Sequence, residues 1–333
     1  MENFMTALWL QSQTNASLLH DITDLQFNPA PPSGAISAYQ SGQPDDFEAP
    51  SGVPESEFAC AHYNYIDFTT SAEAETLWCR LKPSGRPNFS QGLLAELIRM
   101  GDTIRYMLPN DRFGSKSLDY FVLASRVPNV FNLGGDLEFF CACIREGQRE
   151  RLRAYAYACI DALYSNHTGY DRDITTIALV QGEALGGGFE AALSCDVIIA
   201  EKQARFGLPE ARFNLFPGMG AYSFLARRLG SVKAQQLILS GNLFPAAEMA
   251  SLGIVDVLVD AGGGESAVHE YIARNRARHR ACAAFSRARR CVDPVTIDEL
   301  RDVTDIWVDA AFRLSEHDLR KMIKIATAQN QYR

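Results

Sequence analysis

Between Leu179 and Glu190 the chain reads Leu-Val-Gln-Gly-Glu-Ala-Leu-Gly-Gly-Gly-Phe-Glu, a strand-like apolar run that passes through Gly186, Gly187 and Gly188 into a helix-like one. A second turn of this kind lies upstream, in Val130-Phe-Asn-Leu-Gly-Gly-Asp-Leu137. Around them, short apolar runs alternate with amphipathic stretches, a pattern that predicts an α/β fold whose strands are largely covered by helices. Cys60–Phe68 and Thr76–Leu81 look like an opening hairpin. Tyr120–Ser125, Thr176–Gln181 and Asp196–Ala200 are predicted strands, and Phe89–Met107, Asp136–Tyr164 and Gly187–Cys195 predicted helices. From Ser231 onward the pattern is mostly helical, with one short strand expected at Val255–Val259.

The 333 residues are 47% apolar, enough to bury a sizeable core. The first 57 residues differ. After a candidate helix at Thr6–His20 they are rich in Pro, Ser, Gly and Asp, a composition that cannot support packing, so residues 1–57 read as a mobile leader. A formal net charge of -8 argues against nucleic acid or an anionic membrane as partner. No apolar run approaches the roughly 18–20 residues of a membrane span. The eight cysteines form no Cys-x-x-Cys pair and are expected to be reduced thiols, which points to a cytoplasmic protein. The histidines lack ligand spacing, so no metal is expected, and the glycine triplet is not a dinucleotide fingerprint.

The two turns suit chemistry beside a thioester carbonyl. Removing a proton next to that carbonyl, or adding water near it, places negative charge on its oxygen, and preorganised N–H donors stabilise that charge. Glycine lets a ligand approach the backbone closely, and a helix start offers free N–H groups. Two carboxylates accompany the turns: Glu190, set in the apolar Gly187-Gly-Phe-Glu-Ala-Ala-Leu193, and Glu210, in Phe206-Gly-Leu-Pro-Glu210. Apolar neighbours imply burial, which raises a carboxyl pKa, and two carboxyls in one pocket divide into one acid and one base. Spacing does not say which is which. No Gly-x-Ser-x-Gly elbow supplies a serine nucleophile.

On these motifs the chain is identified as a member of the crotonase (enoyl-CoA hydratase/isomerase) superfamily, and it most resembles the bacterial DSF (diffusible signal factor) synthases. Phe131–Leu137, Gly187–Cys195, Phe213-Asn-Leu-Phe-Pro-Gly-Met-Gly-Ala-Tyr-Ser223 and Ile306-Trp-Val-Asp-Ala-Ala311 carry the narrower likeness. Housekeeping hydratases usually show Ala-Gly-Ala-Asp at the first turn, where this chain has Leu133-Gly-Gly-Asp136. The resemblance implies a spiral core of repeated ββα units over residues 58–260 and a C-terminal helical region, 261–333, that shapes an acyl tunnel and mediates assembly into a trimer or hexamer. It places the oxyanion-hole N–H groups on Gly135 and Gly187, makes Glu190 and Glu210 catalytic, and sets Met219, Trp307 and Ile325 along the acyl chain.

The implied activity is dehydration of 3-hydroxyacyl-acyl carrier protein to the cis-2-enoyl thioester, then hydrolysis to a cis-2-unsaturated fatty acid used in quorum sensing. No cofactor is implied beyond the phosphopantetheine of the carrier protein or coenzyme A that bears the substrate. Two alternatives stand beside it: an ordinary enoyl-CoA hydratase, and a crotonase-fold regulatory protein that engages a sensor kinase. A basic stretch, Arg274, Arg276, Arg278, Arg280, Arg287, Arg289 and Arg290, is either a solvated helix face or a docking surface for the acidic acyl carrier protein.

Overall fold

The computed structural model describes residues 63–71, 75–107, 112–113 and 116–329; the expected leader, with its helix at Thr6–His20, lies outside them. The opening hairpin pairs β1 (Ile66–Ser71) with β2 (Thr76–Leu81) antiparallel, from Ile66 opposite Leu81 to Ser71 opposite Thr76. Its first strand starts later than the hydrophobic pattern suggests. Asn64 and Tyr65 donate their N–H groups to the buried Glu96 carboxylate, at 2.7 and 2.8 Å, instead of to a strand.

The main sheet has six strands in the order β1-β2-β5-β7-β9-β12, with β5 at Tyr120–Ser125, β7 at Thr175–Val180, β9 at Val197–Glu201 and β12 at Val257–Val259. Every pairing after the hairpin is parallel. All residues of β7 and β9 are buried, and apart from Thr175, Thr176 and Glu201 at their ends both strands are apolar. A small antiparallel pair, β3 (Arg112–Phe113) and β4 (Lys116–Ser117), stands apart.

A second sheet was not visible in the sequence pattern. Its order is β11-β10-β8-β6, built from β6 (Val130–Asn132), β8 (Glu183–Leu185), β10 (Arg205–Gly207) and β11 (Leu243–Pro245). Strands of three residues are too short to show a period. β6, β8 and β10 are parallel neighbours, so the turns that leave their C-terminal ends lie side by side.

The helices before the site are α1 (Gln91–Asp102), α2 (Leu137–Arg145), α3 (Arg149–Thr168) and α4 (Gly187–Ser194). α1 continues into a π-helical turn at Thr103–Met107. The single helix expected over Asp136–Tyr164 is broken at Gly147, whose φ of +68° is open to glycine and ends α2. Ser90 and Asp136 cap α1 and α2 by accepting from Leu93 and Phe139 N–H. After the site come α5 (Ala221–Leu229), α6 (Ser231–Ser240), α7 (Ala246–Ser251) and α8 (Gly264–Asn275). The C-terminal helices are α9 (His279–Val292), α10 (Ile297–Ala311) and α11 (Glu316–Ala328). α10 packs on α3 and α11 on α2.

The seven cysteines among the described residues are free thiols. No helix among the described residues is long and apolar enough to cross a membrane.

Candidate active site

Three adjacent strand ends build the site. β6 leads through Leu133-Gly134-Gly135-Asp136 into α2, β8 through Gly186 into α4, and β10 through Leu208 into a 3₁₀ turn, Pro209–Phe213, that carries Glu210. Because β8 lies between β6 and β10, both glycine turns and Glu210 converge on one point.

The turns touch. Gly134 has φ +93°, and a Cβ there would stand 2.8 Å from the Leu185 carbonyl oxygen and 3.0 Å from the Gly187 nitrogen. Gly186 has φ +50°, and its Cβ would fall 2.6 Å from Glu210 Oε1. Conformation favours glycine at both positions, and at Gly134 the surrounding backbone also leaves no space for a Cβ. Asn132, at the end of β6, shapes the first turn: its Oδ1 accepts from Gly134 N–H at 2.8 Å. The Gly134 carbonyl in turn accepts from Phe89 N–H at 2.8 Å. Gly187 is the first residue of α4, where no preceding turn can take its N–H. Among the described residues, no protein carbonyl takes the N–H of either Gly135 or Gly187.

Glu190 is 1% exposed. Its Oε1 accepts from Met219 N–H at 2.8 Å and from Ala221 N–H at 2.9 Å, at the start of α5. Burial pushes its pKa up to about 7, against the pull of those two N–H donors toward the charged form. Glu210 has less support, from its own backbone N–H alone. Its Oε2 is sealed from solvent and finds no hydrogen-bond donor, although the residue as a whole is only half-buried. Burial and then the negative charge of Glu190 raise it further, to about 8. The pair therefore differs in kind: Glu190 is the carboxylate with donors aimed at it, and Glu210 is the one better left protonated.

Met219 holds two places at once. Its N–H serves Glu190, and its Sδ would lie 3.2 Å from a Cβ on Gly187. Behind it opens a narrow apolar crevice between α1 and α3, lined by Met219 together with Phe89, Leu97, Met100, Cys159 and Ala162. Trp307 and Ile325 do not line this crevice. Trp307, 4% exposed on α10, lies against Gly218, where a Cβ would come 2.3 Å from the indole, and meets the Phe140 ring edge-on at 5.3 Å. Phe140 in turn closes on Gly135. Trp307 thus backs the Gly135 turn through Phe140, and the Gly218 turn directly. Ile325, on α11, is partly buried against the core.

Several contributors escape sequence reading. The Asn132 turn follows a recognisable Asn-x-Gly pattern, and Met219 and Ala221 act through backbone N–H groups that no side-chain motif records. Thr304 on α10, wholly buried, shares its hydroxyl proton between the Gly218 carbonyl at 2.9 Å and the Leu300 carbonyl at 2.8 Å, and so touches the turn that holds Glu190. The basic stretch is largely committed within the chain. Arg289 and Arg290 grip Asp196, at 2.9 and 3.5 Å, Arg287 pairs with Asp173 at 3.2 Å, and Arg276 faces Glu75 at 3.8 Å. Among the described residues, no three His, Cys, Asp or Glu side chains gather as metal ligands.

The model of the enoyl-CoA hydratase/isomerase family matches residues 90–287. Probable enoyl-CoA hydratase echA8 of Mycobacterium bovis is 49% identical over 86 residues, 26% of this chain and 34% of that protein. Probable enoyl-CoA hydratase 2, mitochondrial, of Arabidopsis thaliana is 36% identical over 143 residues, 42% of this chain and 44% of its own. The chain thus spans between a third and a half of the length of these curated relatives. Among solved structures, the enoyl-CoA hydratase of Bacillus halodurans superposes with a TM-score of 0.66 at 22% identity, covering 79% of this chain and all of that one. Pseudomonas aeruginosa DspI superposes with a TM-score of 0.59 at 23% identity, covering 81% and 96%. At those identities the likeness is one of fold.

Proposed function

The chain belongs to the enoyl-CoA hydratase/isomerase family, and from that premise we propose that it adds water to, or removes water from, an acyl thioester across C2–C3, using Glu190 and Glu210 as a complementary pair. The observation that carries this is the unequal support of the two carboxyls beside two uncommitted glycine N–H groups. The thioester carbonyl oxygen accepts from Gly135 and Gly187 N–H, each donor contributing on the order of 3–4 kcal/mol as charge develops. In hydration, the Glu190 carboxylate takes a proton from the water that attacks C3, and the Glu210 carboxylic acid protonates C2. In dehydration the roles reverse: Glu210 removes the C2 proton and Glu190 protonates the departing 3-hydroxyl. The substrate is carried on coenzyme A or on acyl carrier protein, whose phosphopantetheine supplies the thioester.

Turnover of crotonyl-CoA and longer enoyl-CoA thioesters, followed by loss of enoyl absorbance, tests this directly. Hydration by the wild type but not by Glu190→Gln or Glu210→Gln is the expected result.

A finer reading rests on motif text, chiefly Leu133-Gly-Gly-Asp136 and Pro217-Gly-Met-Gly-Ala-Tyr222, while the relatives above favour the ordinary hydratase. In it, the chain dehydrates a 3-hydroxyacyl-acyl carrier protein to the cis-2-enoyl thioester and the same oxyanion site then hydrolyses that thioester to a free acid. Release of 2-enoic acid from 3-hydroxyacyl-acyl carrier protein, measured by mass spectrometry, decides between the two. Rapid crotonyl-CoA hydration without free acid selects the hydratase. With four of its seven arginines held in ion pairs, the basic stretch offers a weaker docking surface for the carrier protein than the sequence alone implies.

A further inference from the structure

The crevice behind Met219 has a floor. At the far end of α3, Tyr170 donates its hydroxyl to Asn166 Oδ1 at 2.7 Å, and Asn166 Nδ2 reaches Ser194 Oγ at 3.4 Å. Thr176 Oγ1 donates to the Asn166 carbonyl at 3.2 Å, and the Tyr170 ring packs edge-on against Phe121 at 5.0 Å. These polar groups are buried and mutually satisfied. A methylene driven into them would strip hydrogen bonds without replacing them.

The walls are apolar and regularly spaced. Leu94, Leu97 and Met100 face inward from α1, and Cys159, Ala162 and Leu163 from α3. At a rise of about 1.5 Å per residue, Leu94 to Met100 spans about 9 Å. An extended chain advances about 1.2 Å per bond, so this length takes about seven to eight bonds. The mouth lies at the reaction centre, since Phe89 and Met219 both border Gly187 and Ala191 follows Glu190.

Resting on the reading of the site as an acyl-thioester centre, we propose that the substrate's acyl tail lies between α1 and α3 and is stopped by the Asn166–Tyr170–Ser194 cluster, selecting unbranched chains of about eight to ten carbons in all. At rest the crevice has room for about one water, with about 20 Å³ open to its centre. Entry therefore requires side chains to move. Met100 and Met219, the unbranched and flexible ones among the lining, are those that swing aside. Trp307 and Ile325, which lie off the crevice, do not set chain length.

The experiment uses the full chain. Steady-state rates are measured on enoyl-CoA thioesters from four to fourteen carbons, and equilibrium binding of the matching free fatty acids by calorimetry. The wild type should favour eight to ten carbons and fall tenfold or more beyond twelve. Ala162→Phe, which fills the middle of the crevice, should lower the ratio of kcat/KM for ten- over four-carbon thioesters tenfold or more. Met100→Ala should move the optimum to longer chains, and it keeps the test available if Ala162→Phe does not fold. An unchanged length profile in a folded variant overturns the proposal, as does a profile that shifts only with Trp307→Ala. Fatty-acid binding that stops at this length, without turnover of any thioester, would refute the hydratase reading and support the crevice. Turnover indifferent to chain length would do the reverse.

Discussion

Replacing Glu210 by Gln should make the protein more stable, and increasingly so as the pH rises. Glu210 carries a buried Oε2 without a donor and faces the charge of Glu190, so its folded-state pKa stands above the unfolded value of 4.5, at about 8. A carboxyl raised in this way contributes its full share of stability below pH 4.5 and loses it as the pH climbs through 8, because the fold resists ionisation. Each unit of difference corresponds to about 1.4 kcal/mol, so a shift of about 3.5 units sets an upper bound near 5 kcal/mol; sharing of the proton with Glu190 brings the expected loss to about 2–3 kcal/mol. Gln keeps the shape and never ionises. Urea unfolding of wild type and Glu210→Gln at pH 5, 7 and 9 should give near-equal stabilities at pH 5 and a variant ahead by about 2–3 kcal/mol at pH 9. A difference that stays flat across this range, or a wild type that gains on the variant as pH rises, would show that Glu210 ionises freely and would refute the division of roles between the two acids.

Gly134→Ala places a Cβ at φ +93° and 2.8 Å from the Leu185 carbonyl, so it should cost about 2–4 kcal/mol by thermal melts and lower turnover more than a hundredfold as the turn shifts. Trp307→Ala removes an indole that fills the space against Gly218 and Phe140 and should cost about 3–5 kcal/mol in denaturant titrations. If instead Trp307 lined an acyl tunnel, the loss would be smaller and products would lengthen. Thr304→Val keeps the volume but frees the Gly218 carbonyl, and should cost about 1–2 kcal/mol while raising the apparent pKa of Glu190 in the pH–rate profile. An unmoved profile would leave Thr304 a packing residue only.

The main sheet was legible because its central strands are buried and mostly apolar: Tyr120–Ser125 is found where the pattern put it, and Thr175–Val180 and Val197–Glu201 each begin within one residue of their expected starts. The second sheet was not, since β6, β8 and β10 have three residues each and exist through pairing with one another. Yet the site rests on that sheet. The glycine turns were recognisable by type, and their adjacency follows from a strand order that no local pattern encodes. For the acids, apolar neighbours gave the burial of Glu190, but its two N–H donors come from Met219 and Ala221, some thirty residues on, and only the folded backbone brings them together. The internal pairing of the basic stretch is hidden for the complementary reason: Asp196, which contacts Arg289 and Arg290, lies more than ninety residues away.

The central claim is tested most directly by the kinetics of Glu190→Gln and Glu210→Gln on an enoyl-CoA of the preferred length, with melting temperatures recorded on the same samples. Each variant should lose about 10²–10⁴-fold in kcat, the usual contribution of a positioned acid or base, with its fold kept. A folded variant of either residue that retains turnover within tenfold of wild type would contradict the paired-carboxylate site.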